Sequence, residues 1–245
     1  SVAVSFTFIS IDTTPPVFSS TSPPANSFVN TTNTGYTLSE PVSSGTITIA
    51  WTGGTVDPIS IVTYTMVSGD LSTGPHTVNT GWSPVDGGIY SITFSARDLA
   101  GNPGSLTNAG VTYDTTAASV VITGPLSSGF TNTSSVSYTL TEAITAGRIV
   151  ITRTGGSTDA LSPYTYTLTG ADLTAGGHTV NTGAALITGA IYSFGFDNVV
   201  DKAGNTTAPV SSTNVTFDAQ SVQVTNAQPF LKSIITNANA GYILS

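Results

Sequence analysis

The sequence predicts an all-β chain of tandem two-layer β-sandwiches, each of about 100 residues, with incomplete repeats at both ends. Three observations carry this. The chain repeats itself at a spacing of 102 to 104 residues, apolar and polar residues alternate inside each repeat, and glycine and proline punctuate the alternating runs.

Tyr36-Thr-Leu-Ser-Glu40 returns as Tyr138-Thr-Leu-Thr-Glu142, and His76-Thr-Val-Asn-Thr-Gly81 returns letter for letter from His178 to Gly183, both 102 residues on. Ile89-Tyr-Ser91 returns as Ile191-Tyr-Ser193, and Asp98-Leu-Ala-Gly-Asn102 as Asp201-Lys-Ala-Gly-Asn205. Val111-Thr-Tyr-Asp114 returns as Val215-Thr-Phe-Asp218, now 104 residues on, so small insertions lie in the second copy. Val4-Ser-Phe-Thr-Phe8 followed by Asp12-Thr-Thr14 reads as the close of a preceding copy, and Gly241-Tyr-Ile-Leu-Ser245 opens a following one. The domains are therefore residues 1–11, the last strand of a preceding repeat; 12–113 and 114–217, two full repeats; and 218–245, the first strands of a further repeat. On this reading the chain is either a window on a longer polypeptide or a subunit whose end strands pair with neighbours.

Within the first repeat the strands fall near 17–21, 34–40, 45–52, 60–67, 76–80, 89–97 and 109–114. Ile47, Ile49 and Trp51 share one face of the third; Tyr90, Ile92, Phe94 and Ala96 share one face of the sixth. The second copy keeps Ile149 and Ile151, then Tyr192, Phe194 and Phe196, but has Arg153 for Trp51, which is therefore no anchor common to the repeats. Thr, Val, Ile and Tyr suit the pleated sheet, Gly-Gly pairs such as Gly53-Gly54 supply turns, and Pro41, Pro58 and Pro75 blunt edges. Seven short strands in about 100 residues is the immunoglobulin-like pattern.

At 39% hydrophobic residues the chain can bury real cores, yet only 7% are charged, against about 25% in an ordinary soluble domain. Such a surface suits glycan modification, packing against copies of itself, or a stiff extended form. The net charge of −8, with Arg97, Arg148, Arg153, Lys202 and Lys232 scattered, argues against nucleic acid. With no cysteine there is no disulfide framework. No apolar run is long enough to insert in a membrane as a helix, and no signal peptide opens the sequence, so a secreted origin makes it a processed or internal piece.

The set Asp12-Thr-Thr-Pro-Pro16, Tyr36-Thr-Leu-Ser-Glu40, Asp98-x-Ala-Gly-Asn102 and Val111-Thr-Tyr-Asp114 resembles the bacterial immunoglobulin-like (Big-type) tandem repeats of large extracellular adhesins and biofilm proteins. The second copy departs at Ala117-Ala118, and the last junction reads Asp218-Ala-Gln220. The resemblance implies an extracellular or cell-surface stalk of stacked sandwiches with calcium at the joints. In that topology Asp12, Glu40, Asp98 and Asn102 meet at one pole, and Asp114, Glu142, Asp201 and Asn205 form the matching group; Asp70 and Asp172 are within reach. Carboxylate and amide oxygens are calcium's ligands. The bland reading stands beside this one, because Asp-x-Ala-Gly-Asn is also a good turn.

His76 and His178 read as structural, one per repeat being a poor metal site. No serine has triad partners at a suitable spacing, and the paired acids suggest no cleft, so the chain reads as no enzyme. Asn30, Asn132, Asn205 and Asn214 head N-glycosylation triplets, and Lys202 and Lys232 are poorly placed for an isopeptide staple. The leading function is a covalent stalk or spacer of a cell-adhesion or biofilm protein. The alternative is a self-assembling filament or sheath subunit completed by strand addition through Val4–Phe8 and Ser221–Ser245. An outsider is sugar binding through an exposed Trp51 or Trp82.

Overall fold

A computed structural model describes residues 11–228 and 241–244. The chain divides into two compact units, one of residues up to 118 together with 200–206, the other of residues 119–199 with those from 207 on.

The first sandwich is built from β1 (Phe18–Ser22), β2 (Phe28–Val29), β3 (Asn33–Leu38), β4 (Val42–Gly54), β5 (Ile61–Thr65), β6 (Gly74–Asn79), β7 (Gly88–Asp98) and β8 (Pro103–Tyr113). One sheet has the order β1-β3-β6, the other β2-β8-β7-β4-β5. All pairings are antiparallel except β2 with β8. The second repeat supplies β9 (Val120–Gly124), β10 (Phe130–Thr131), β11 (Ser135–Leu140), β12 (Ile144–Gly156), β13 (Tyr164–Thr167), β14 (Gly176–Asn181), β15 (Ala190–Asp201) and β16 (Val210–Phe217), in the same two orders. Beyond them β17 (Val224–Gln228) pairs antiparallel with β18 (Gly241–Leu244). Val4–Phe8 lies outside the described residues.

The period of two places the core. Tyr36, Leu38, Ile47, Ile49, Tyr90, Ile92 and Phe94 are buried between the first pair of sheets, with Phe18 edge-on to Tyr36 at 5.7 Å. Val136, Tyr138, Leu140, Ile149, Ile151, Tyr192, Phe194 and Phe196 are buried in the second unit. Each such side chain contributes about 1.5–3 kcal/mol relative to exposure.

Where strands differ from expectation, bulges explain it. The β4–β7 register shifts between Val42 and Ser44 and again between Trp51 and Gly53, so β4 runs past both ends of its regularly alternating stretch. β8 starts at Pro103 rather than near 109, and proline is tolerated there because β2 covers only Thr112 and Tyr113 of its outer edge. The two-residue strands β2 and β10 are too short to leave a period. Gly54 and Gly156 are required: both have positive φ, and a Cβ would meet the carbonyl oxygens of Gly87 and Gly189 at 2.2 and 2.1 Å.

A buried acid in each repeat escaped the sequence reading. Tyr90 Oη donates to Asp57 Oδ2 at 2.8 Å and accepts from the Val85 amide at 2.9 Å; Tyr192 does the same with Asp159 at 2.6 Å and Ile187 at 2.9 Å. Burial, with Asp57 beside it, pushes the Tyr90 phenol up to about 12 against the pull of the Val85 amide. The signal that could have found these acids is their own repetition, 102 residues apart in apolar surroundings.

Candidate metal centre

β7 ends at Asp98, and the next four residues fold back on its carboxylate. Asp98 Oδ1 accepts the Asn102 amide at 2.8 Å and Oδ2 accepts Asn102 Nδ2 at 2.6 Å. Gly101 makes the turn with φ of 96°. Burial works against this carboxylate, but donors from Asn102, Gly101 and Ala100 outweigh it and hold Asp98 below the usual range. Asn102 Nδ2 also donates to the Asp12 carbonyl at 3.1 Å, so the turn grips the segment that enters the sandwich. Asp12 Oδ1 caps that segment by accepting the Thr14 amide at 2.9 Å. Residue 17 is tied on by two bonds to Ser39, which sets the neighbouring Glu40 against the group.

The result is one oxygen each from Asp12, Glu40 and Asp98, all within 4.8 Å of one another. Asp12 is exposed, Glu40 half-buried and Asp98 buried. Burial, then Asp12 and Asp98, raises Glu40 above the usual carboxylate range. Three carboxylates with further lone pairs, and the side-chain oxygen of Asn102, fit a hard cation that takes six to eight oxygens at about 2.3–2.6 Å.

The second set keeps the local pattern. Asp201 Oδ1 accepts the Asn205 amide at 2.8 Å, Oδ2 accepts Asn205 Nδ2 at 2.9 Å, and Asn205 Nδ2 donates to the Asp114 carbonyl at 2.9 Å. Asp114, Asp201 and Asn205 belong to the first unit, and Glu142, half-buried after β11, to the second. Burial, followed by Asp201 and Asp86, raises Asp114. The cap on the entering segment occurs three times, as Thr14 on Asp12, Thr116 on Asp114 and Gln220 on Asp218, so Asp218-Ala-Gln220 keeps the turn despite its altered letters.

Asp86 adds a clamp that the repeat pattern did not signal. Its carboxylate accepts the Thr115 amide and hydroxyl and the Thr116 hydroxyl, the last at 2.7 Å. The Thr115 amide first, then the Thr116 hydroxyl, holds it below the usual range. Thr188 stands in its place in the second repeat, and its hydroxyl accepts the Ala219 amide at 3.3 Å.

Other candidates are placed differently from expectation. Asp70 and Asp172 do not turn to the acidic groups: each accepts a tyrosine hydroxyl, Tyr64 at 2.7 Å and Tyr166 at 3.2 Å, and caps its own short 3-10 turn. His76 and His178 lie over Tyr36 and Tyr138, ring centroids 5.1 Å apart in both, and donate to the carbonyls of Ser72 and Thr174. Trp82 is no exposed platform: it is 5% exposed, edge-on to Tyr90. Asn30 Nδ2 donates to Asn205 Oδ1 at 3.0 Å, so both glycosylation triplets carry an engaged amide, whereas Asn132 and Asn214 are exposed.

Comparison with known proteins gives a family match. The model described as bacterial Ig-like domain matches residues 18–115 and 136–219. No curated protein matches. Among solved structures, the fibronectin(III)-like modules of Clostridium thermocellum CbhA are 12% identical, with a TM-score of 0.41 over 83% of this chain and 94% of that one. The chicken CNTN1 FN1–FN3 domains are 12% identical, with a TM-score of 0.33 over 82% of this chain and 66% of that one. A chain solved in a structure of host cell surface retention of a 1.5-MDa bacterial ice-binding adhesin is 18% identical, with a TM-score of 0.34 over 80% of this chain and 62% of that one.

Proposed function

The chain belongs to the bacterial Ig-like domain family, and from that premise we propose a non-catalytic structural module of an extracellular surface protein. It is a spacer of tandem sandwiches that holds other parts of the polypeptide away from the cell. The observation that carries the reading is the grip on the connecting segments: Asn102 holds Asp12, Asn205 holds Asp114, and Asp86 clamps Thr115 and Thr116. A segment held at so many points behaves as part of a strut, not as a swivel.

Calcium completes the proposal. Asp12, Glu40 and Asp98, with Asn102, are the residues that would hold it in the first set, and Asp114, Asp201 and Asn205 repeat those residue types in the second copy. The ion would offset the burial and the repulsion from Asp12 and Asp98 that raise Glu40 and fix the entering segment to the turn. Neighbouring repeats or further copies are the partners this reading implies.

The test is the mass of the native polypeptide, detected with an antibody to this segment on surface-labelled cells and run on a denaturing gel. A surface-labelled band far above 24.8 kDa supports the covalent spacer. A surface-labelled band near that mass replaces it with a filament or sheath subunit assembled by strand addition. An unlabelled, intracellular band overturns both.

A further inference from the structure

We infer that Phe130, Asn132 and Asp218 form a docking face for a following repeat of the same kind, whose Asp-x-Ala-Gly-Asn turn seats on it. The inference rests on the spacer reading and names the contact that such a spacer uses.

The pattern for it lies inside the first compact unit, which includes residues 200–206. There the turn of residues 201–205 seats on the end of β2. Lys202 Nζ stands over the Phe28 ring, 5.3 Å from its centroid, where the negative face of the ring attracts a cation. Asn205 bonds in both directions: its Oδ1 accepts Asn30 Nδ2 at 3.0 Å, and its Nδ2 donates to the Asp114 carbonyl at 2.9 Å. Three receiving groups therefore define the face: an aromatic ring, a side-chain amide two residues on, and a backbone carbonyl just past the last strand.

The second sandwich builds the same three groups. Phe130 and Asn132 stand 102 residues after Phe28 and Asn30, and Asp218 stands 104 after Asp114. The backbone frame is also the same. β2 pairs parallel with β8 through Phe28–Thr112 and Val29–Tyr113, and β10 with β16 through Phe130–Thr216 and Thr131–Phe217. The Asp114 amide donates to the Val29 carbonyl at 2.9 Å, and the Asp218 amide to the Thr131 carbonyl at 2.8 Å. The difference is in the cover. Phe28 is 39% exposed and Asn30 half-buried, whereas Phe130 is 76% exposed and Asn132 exposed. Phe130, Thr131, Asn132 and Asp218 line one open depression.

The register of the next strands identifies the occupant. In β17 and β18, Val224 faces Leu244 and Gln228 faces Gly241, as Phe18 faces Leu38 and Ser22 faces Gly35 in β1 and β3. On this register a further sandwich starts after Asp218, and its last turn returns to the face as residues 201–205 return to theirs. That turn needs a long side chain after its first Asp, to lie on the Phe130 ring. It also needs an Asn amide, to pair with Asn132 and with the Asp218 carbonyl.

The chain has no cysteine, so a single introduced thiol reports cover cleanly. Residues 114–217 are duplicated in place after Phe217 of the full chain, and Asn132→Cys is made in one copy or the other. This substitution gives up one hydrogen bond and leaves the ring and the Asp218 carbonyl in place. Expected is maleimide labelling about tenfold or more slower in the first copy than in the last, and as slow as in Asn30→Cys of the unextended chain. Adding Phe130→Ala to the first copy restores fast labelling. A cooperative melt shows that the added repeat is folded. Should it not fold, a copy of residues 12–113 takes its place and presents Leu99 where the other presents Lys202. Equally fast labelling of both copies in a folded chain overturns the docking face and leaves the spacer reading standing, since that reading turns on the native mass. Slow labelling that survives Phe130→Ala overturns it too, because the cover then comes from elsewhere.

Discussion

Removing one oxygen from Tyr90 tests how much the buried acid holds the sandwich together. In Tyr90→Phe the ring keeps its packing, but Asp57 Oδ2 loses its donor at 2.8 Å and the Val85 amide its acceptor at 2.9 Å. A hydrogen bond to a charged group is worth about 1.5–3 kcal/mol, and a stranded buried amide costs a further ~1–3 kcal/mol. Allowing for relaxation, the net loss is about 3 kcal/mol. For a domain of about 100 residues that lowers the melting temperature by roughly 12–24 °C. The assay is urea or thermal unfolding followed by tryptophan fluorescence. Both tryptophans, Trp51 and Trp82, lie in the first repeat, so the signal reports that sandwich alone. Tyr64→Phe is the control: it removes a half-buried hydroxyl from Asp70 and costs about 1 kcal/mol. A Tyr90→Phe midpoint no lower than that of Tyr64→Phe refutes the reasoning.

Four more outcomes are expected. Calcium at a hundredfold excess over its dissociation constant stabilises the wild type by about 2.7 kcal/mol, seen as a melting temperature that falls on adding chelator; an unchanged melt removes calcium from the account. Because burial and its acidic neighbours raise Glu40 in the folded state, its contribution is present at low pH and lost as pH rises through the folded value. Glu40→Gln is therefore neutral or stabilising in chelator at pH 7 and abolishes the calcium gain, whereas a loss of stability in chelator contradicts the crowding. Asp86 is shifted the other way, so its clamp holds above the ordinary aspartate value of about 4 and fails as pH falls through its lower folded value. The protection factor of the Thr115 amide, taken against the intrinsic exchange rate at each pH, should fall on acidification and in Asp86→Asn at neutral pH. Gly54→Ala drives a methyl into the Gly87 carbonyl at positive φ and should cost at least ~1–3 kcal/mol in the same fluorescence melt.

Alternation made the sandwich legible because half-buried strands repeat every second residue. Tyr90, Ile92 and Phe94 face inward as their spacing requires. The bulges in β4 and the two-residue β2 and β10 were not legible, since an irregular or very short pairing leaves no period. Of the acidic group, Asp12, Glu40 and Asp98 come together as the topology implies. Asp70 was misjudged because a capping role in a 3-10 turn depends on where Tyr64 points, which spacing does not reveal. Trp82 is buried although unrepeated, because it sits edge-on to Tyr90 in the core, a contact that spacing does not reveal.

The unequal clamps on the connecting segments have a mechanical consequence. Charge-assisted hydrogen bonds are roughly twice as strong as neutral ones, and Asp86 makes three where Thr188 makes one. Under tension along the chain, the stretch after the second sandwich peels from its turn at lower force than the stretch after the first. Extension then proceeds in a set order, with Ala219 released before Thr115. Acid that protonates Asp86 reduces its bonds to neutral strength and narrows the difference, so that the two connecting segments then resist pulling more equally.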